Sequence, residues 1–535
     1  MQGAIYLVVF CLLVGIYLIN KGRRSVSSLT LPPGPKPLPI IGNVHQAPSG
    51  RGWLTYREWS KEYGPIIYLN MLGQPVILLS TSEVAHDLLS KRGAIMSDRP
   101  HLFLATELAL KGFNLLMMNY TDQFKQHQRL QVSVMNATPA AAYRHFQALE
   151  SQQLLLDLLN STEGNGTTQD DNIPFQENIR RTTSSIIHTL LYGFRIKDIN
   201  DPILRTVLKL NEEFSEFIKP GANIVDKFPV LNNLPSFLAP WQAKAENHYT
   251  TKYNLRIQNF QRGMDSKSWN FSKHLRAIVE KDKLDMPTDE LAFEIGTIID
   301  AALDGLTDSL IWFVVACITQ DETSGFIAKA RQELDIHVGR DRLPNLEDKS
   351  NLPYITAIIE EIPRWRPAAP EGVPHVNRDE VTYNGYIIPK GSYLLPIIWT
   401  IGREEAVFGA KPDEFIPERW LNEDGKTFRA IPTATFGYGR RTCPGRHIAR
   451  NVLWIVVAQL IWSFDIKAGV SETGEPAVVD PLASNDGPIM RALPFKASFN
   501  PRGPWVREVL TKEGDTYSKD HEAMLDQIGA ELAKL

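Results

Sequence analysis

The sequence predicts a mainly α fold with a minor β-sheet, set behind an apolar N-terminal helix. Three observations predict it. Helical periodicity dominates the chain, the strand patterns are few and short, and no repeat of about 20–50 residues or long low-complexity segment interrupts the run from about 45 to 505. That run reads as one large unit, although length alone allows three or four domains of about 150 residues.

Composition removes several classes of function. The chain has 535 residues with 57 basic and 61 acidic side chains, a formal net charge of −4 that argues against a nucleic-acid binder. Its 43% hydrophobic and 22% charged content supplies a large core and excludes a disordered or collagenous chain. Three cysteines exclude a disulfide scaffold and fit a reducing compartment.

Residues Ala4 to Ile19 are uncharged and nearly all apolar, long enough to cross a thin bilayer, and Lys21, Arg23 and Arg24 follow at once. A cleaved secretory signal carries its charges before the apolar run, so this segment reads as an uncleaved anchor. Positive charge on the C-terminal flank keeps everything after it in the cytosol. The expected organisation is a transmembrane anchor over 1–20, a basic, proline-rich hinge over 21–44, the body over 45–505 and a polar extension over 506–535. Within the hinge, Leu31 to Pro39 holds five prolines in nine residues, a stiff spacer or, alternatively, a ligand for a proline-recognising domain. The sequons at Asn119, Asn136, Asn160, Asn165 and Asn270 would be glycosylated only in a lumenal protein and read as chance.

In the body, helices are expected near 53–63, 82–92, 121–137, 144–160, 174–192, 202–218, 241–262, 288–319, 323–338, 352–362 and 445–462. Strands are expected at 66–69 and 76–80, joined through the Gly73-Gln74-Pro75 turn, and again near 383–388 and 393–397. An exposed helix is expected from about His521 to Leu532, with no chemistry in it.

Of the cysteines, Cys11 lies in the anchor and Cys317 in an apolar helical run, where it reads as a small buried hydrophobe. Cys443 sits in Phe436-Gly437-Tyr438-Gly439-Arg440-Arg441-Thr442-Cys443-Pro444-Gly445, just before an apolar helix. A metal thiolate needs positive charge and N–H donors, and arginines with a helix N-terminus supply both. Pro444 has no N–H, so the donors to sulfur should come from Gly445 onward.

The spacing Phe436-x-x-Gly439-x-Arg441-x-Cys443-x-Gly445 resembles the haem-binding loop of the cytochrome P-450 superfamily, the haem-thiolate monooxygenases. Glu361-Ile362-Pro363-Arg364 resembles the family's Glu-x-x-Arg helix, and Pro417-Glu418-Arg419-Trp420 the segment whose arginine completes an ion cluster. Glu361 and Arg364 stand three residues apart on one helical face and can meet. Pro363 departs from the usual aliphatic residue and is expected to strain or end that helix. The resemblance covers roughly 31–500, and from Leu352 to Ala449 the chain looks like fungal secondary-metabolism members.

The resemblance implies a cytochrome P-450 fold with a single large haem domain, haem b as cofactor and Cys443 as the axial iron ligand. It places Arg441, His375, Arg99 and Lys125 at the haem propionates. In the helix that carries Lys125 the family usually has Trp and Arg, where this chain has Phe124 and Gln128. His127 or Arg129 either compensates or lies at the surface. On the distal face the family pattern Ala/Gly-Gly-x-Asp/Glu-Thr is matched by Ala301-Ala302-Leu303-Asp304-Gly305. The acid is present and the proton-delivering alcohol is not. Gly305 either makes room beside the iron or serves helix packing. Thr307, roughly 200° round the helix from Gly305, points away, which favours Asp304 with an ordered water or a substrate hydroxyl as the proton route.

The implied activity is oxidation of an apolar small molecule with O2 and electrons from NADPH through a separate NADPH-cytochrome reductase, in a single-pass protein of the endoplasmic reticulum membrane. The pocket, by analogy, runs along His101 to Met118, Leu204 to Trp241, Thr297 to Leu306, Pro367 to Val373 and Asn485 to Ile489, apolar enough for a terpenoid, alkaloid or polyketide. Arg440, Arg446, Arg450, Lys125 and Arg129 form either a docking face for the reductase or a merely solvated one. The alternative enzyme is a haem-thiolate isomerase or dehydratase that works without reductase and tolerates loss of the alcohol. A haem sensor finds no sensory domain in the sequence.

Overall fold

The computed structural model describes residues 30–163, 175–219, 221–471, 474–512, 514, 516–517 and 519–534. The expected anchor, Cys11 and Asn165 lie outside them. The described chain is mainly helical with small sheets, and it divides into two compact units.

The smaller unit comprises the chain up to Pro100 with Pro370–Ile401 and Gly437–Thr442. Its sheet has the order β1-β2-β6-β3, from Ile66–Met71, Gln74–Leu79, Tyr393–Pro396 and His375–Val376. β1 and β2 form the expected antiparallel hairpin, and β2 runs parallel to β6. The stretch expected as one strand at 383–388 is instead the hairpin of β4 (Val381–Tyr383) and β5 (Tyr386–Ile388). Asn384 and Gly385 turn it at φ 47° and 81°, the left-handed pair that two-residue hairpins require.

The larger unit holds His101–Ala369, Gly402–Phe436 and the chain from Cys443 on. Its centre is the helix Thr288–Thr319, which packs on the helices Phe175–Tyr192, Pro240–Asp265, Pro353–Trp365 and Arg446–Ser463. Among the described residues it alone is long and apolar enough to cross a membrane, but most of it is buried as a core helix. Gly296 lets Pro240–Asp265 approach, because a Cβ there would fall 1.8 Å from Arg256 Nη1. Trp312, Trp365, Trp420, Trp454 and Trp462 are fully buried in this unit, each removing roughly 150–250 Å² from water. Cys317 is buried in the same helix, and burial pushes its thiol well up, as befits an apolar filler.

Several elements differ from expectation. The helix Phe271–Lys281 was not expected, although Asn270 caps it by accepting from the Lys273 N–H and Phe271, Leu275 and Val279 recur every fourth residue. Asn270 itself is fully buried. The strands β7 (Phe464–Ala468) and β8 (Ala497–Pro501) pair antiparallel across a gap too long for a local hairpin signal. Pro363 does not end its helix, which continues to Trp365. The proline removes one N–H, but tertiary bonds hold the last turn: the Trp365 indole donates to Asp413 O at 2.9 Å and Arg364 is anchored on both sides. The terminal helix His521–Leu532 is docked rather than exposed. It buries Leu525, Ile528 and Leu532, and Asp526 accepts from the Trp269 N–H.

Candidate active site

In the larger unit the Cys443 N–H donates to Phe436 O at 2.8 Å, closing the glycine-rich loop on itself. Pro444 gives no N–H, and the sulfur receives those of Gly445 and Arg446, where the helix Arg446–Ser463 begins. Burial prevails and raises the pKa of the free thiol, although these donors and the Arg446 charge pull it down. A methyl on Gly445 would lie 3.9 Å from the sulfur. Arg450 stacks 4.8 Å over the Phe436 ring and is fixed by Glu360 at 2.7 Å.

Behind the loop in the same unit, Arg364 and Glu361 form two parallel bonds of 2.6 and 2.7 Å, both side chains fully buried. The remaining Arg364 donors reach Gly402, Pro412 and Glu414 carbonyls. Glu361 also accepts from the Trp420 indole and the Ile416 N–H, and Arg419 Nε lies 3.5 Å away. Three separate chain segments are thereby tied to one ion pair.

In the smaller unit Gly439 has φ 55°, and a Cβ there would fall 2.4 Å from Leu89 O, so only glycine fits. Arg441 Nε donates to Ser97 O at 2.8 Å. Arg99 donates to Val373 and Pro374 O, and His375 Nδ1 bonds Met96 O. Arg99 and His375 are both buried, and burial with neighbouring positive charge pushes the pKa of each well below its usual value. Two arginines packed beside a neutral histidine out of water favour a bound anion, so this cluster fits carboxylates such as haem propionates.

In the larger unit Lys125 is half-exposed and pairs with Asp122 at 2.8 Å. His127, open to a surface reading from sequence, is buried with Nδ1 2.8 Å from Glu294 and Nε2 2.8 Å from Glu290. Burial opposes its charge, but the two glutamates prevail and raise its pKa. Of the expected basic face, Arg446 donates to Cys443 O and Arg450 pairs with Glu360, while Arg129 and Arg440 are exposed.

On the helix Thr288–Thr319, Ala301 is exposed between two buried stretches. A Cβ on Gly305 would meet nothing within 4 Å, so close helix packing does not explain that glycine. Asp304 accepts from Arg491 at 2.7 Å and from Asn211 at 3.3 Å. Burial raises its pKa against the pull of Arg491. Thr307 bonds the Thr183 hydroxyl at 2.7 Å in the core. Arg491 and Asn211 escaped the sequence analysis because they lie 187 and 93 residues from Asp304 and carry no local motif.

A mainly helical fold with a part-buried cysteine loop, a buried Glu-Arg pair and an acid on the central helix is the arrangement expected of a haem-thiolate enzyme. The family model Cytochrome P450 matches residues 32–482, and the chain belongs to that family. It is 35% identical to "Cytochrome P450 monooxygenase aneD" of Aspergillus aculeatus over 522 residues, 97% of both chains. It is 36% identical to "Cytochrome P450 monooxygenase peniB" of Penicillium patulum over 499 residues, 93% of this chain and 90% of that one. The protein is a cytochrome P450 monooxygenase.

Proposed function

We propose that the protein oxidises an apolar small molecule of secondary metabolism, a terpenoid, alkaloid or polyketide, using O2 and electrons passed from NADPH by a separate reductase. The observation that carries this reading is the Cys443 sulfur with the Gly445 and Arg446 N–H groups directed at it, donors suited to a metal-bound thiolate. Cys443 would ligate haem b and Arg99, His375 and Arg441 would receive its propionates. The haem, when bound, supplies dioxygen activation. Lys125 would join Arg99, His375 and Arg441 by leaving its exposed pairing with Asp122, whereas His127 is held by two glutamates.

Purified protein with candidate substrate, reductase and NADPH tests the reading: product should form only with NADPH. Gly305 is also compatible with an isomerase or dehydratase, and product without NADPH would establish that instead. Metabolite profiling of a deletion strain, read for the precursor that accumulates, names the substrate.

The chain's own proton donor is Asp304, which stands beside the open face at Gly305. Asp304→Asn should slow turnover about 10²-fold or more, the scale of a positioned acid. Thr307→Ala should change it little, because that hydroxyl is committed to Thr183. A well-coupled Asp304→Asn enzyme would sink the assignment, and equal coupling for substrates with and without a nearby hydroxyl would sink a substrate-assisted route.

The same reading puts the body on the cytosolic face of the endoplasmic reticulum membrane, on the strength of the apolar run from Ala4 to Ile19 and the basic residues after it. Beyond the anchor sequence, the segment Ile224 to Leu238 supports contact with a bilayer: Val230 and Phe237 are 69% and 81% exposed, and Phe228 and Leu238 about half. Protease added to intact microsomes should digest the body. A protected, glycosylated body would overturn the topology.

A further inference from the structure

Asp304 and Asp308 lie four residues apart on one face of the helix Thr288–Thr319, and one guanidinium serves both. Arg491 Nη2 is 2.7 Å from Asp304 Oδ2, within hydrogen-bond reach. Its Nε is 3.8 Å from Asp308 Oδ2, outside that reach. Asp308 is 2% exposed, and among the described residues its Oδ2 has no hydrogen-bond partner. A buried carboxylate in that position is costly while its neighbour one turn away holds the cation.

We propose that Asp308 is a positioning residue that stores a proton for Asp304, the two carboxyl groups alternating on Arg491. The inference rests on the reading of Asp304 as the proton donor. In the resting arrangement Asp304 is ionised and bound to Arg491, and Asp308 carries the proton. On transfer the proton leaves the Asp308 O–H and binds the Asp304 carboxylate. Arg491 then moves from Asp304 to close the gap on Asp308 Oδ2. Charge balances, since the three groups hold one proton, one guanidinium and one ionised carboxylate before and after. The arrangement supplies what Gly305 lacks, a second proton-bearing group next to the acid.

The charged groups around the pair agree with this distribution. Burial and then the Asp304 charge push Asp308 up to about 8, against the pull of Arg491 and of Arg180 on the helix Phe175–Tyr192. Glu212, on the helix Pro202–Ile218, helps keep Arg491 charged. Asp300 is occupied by Lys252 and Arg256 at 2.9 and 2.6 Å and adds only repulsion to Asp304. The store is therefore full below a pH of about 8 and empties above it.

Infrared titration of the haem-loaded protein from ~pH 6 to ~pH 10 reads the proton directly. A protonated-carboxyl band should fade with a midpoint of about 8, vanish in Asp308→Asn and move to lower pH in Asp304→Asn, which frees Arg491 for Asp308. Peroxide released per NADPH, with reductase and no organic substrate, gives the functional readout. In the wild type it should climb across the same midpoint, whereas Asp308→Asn should sit at the high alkaline level throughout, with no limb. Asp308→Glu keeps an acid on a longer arm and should keep the limb at a shifted midpoint. An unchanged band or limb in Asp308→Asn, or in Asp308→Glu should Asp308→Asn fail to fold, overturns the proposal. Failure of the monooxygenase reading shows itself separately, as product formed without NADPH, because the infrared band needs no turnover.

Discussion

Replacing Cys443 with alanine is expected to erase the reduced carbon-monoxide band characteristic of the family and to abolish turnover. The Gly445 and Arg446 N–H groups and the Arg446 charge all favour a negative sulfur, and an alanine methyl offers them nothing to bind. Thiolate donation is what favours O–O cleavage, so no residual fraction of normal activity should remain. Cys317→Ala is the control: that thiol lies in the core of the helix Thr288–Thr319, and its loss should leave the band intact. A band that survives Cys443→Ala, or disappears with Cys317→Ala, refutes the ligand assignment.

Removal of Arg364 should have the largest effect on stability. Arg364→Ala takes from the fully buried Glu361 its bidentate partner and leaves it only the more distant Arg419 and two neutral N–H donors, a cost of about 3–5 kcal/mol. Against a typical total of about 5–15 kcal/mol, that is enough to lower the thermal midpoint sharply or prevent recovery of haem-loaded protein. The carbonyls of Gly402, Pro412 and Glu414 lose their donors as well. Arg364→Lys should not rescue, because a single ammonium cannot reproduce the fork that spans Glu361 and those carbonyls. An Arg364→Ala protein with wild-type melting and haem content would show that the cluster does not hold the segments together.

Both residues were legible in the sequence because their signals are local. A cysteine among glycines and arginines before a helix points to a thiolate through its neighbours, whereas the cluster role of a glutamate three residues from an arginine comes from the family resemblance and the pair's order in the chain. The same locality made the Gly73 hairpin and the central helix readable, the latter with the bounds 288–319 that the structure shows. Locality also explains one omission: the Asn270 cap and four-residue spacing of Phe271–Lys281 were present in the sequence and passed over.

Other features depended on residues far apart in the chain. The sequence showed that the alcohol is missing at 305, but only the fold brought Arg491 to Asp304 and left Asp308 sharing it. His127 has the composition of a surface residue, and its helix period could not reveal two glutamates waiting on another helix. Pro363 breaks a helix by its own geometry, yet long-range bonds from Trp365 and Arg364 carry the last turn past it. The sequence by itself determined which groups this protein has to work with, since residue type and short spacing are set along the chain. Tertiary structure decided their charge and partners, since desolvation and pairing depend on what folding packs against each group.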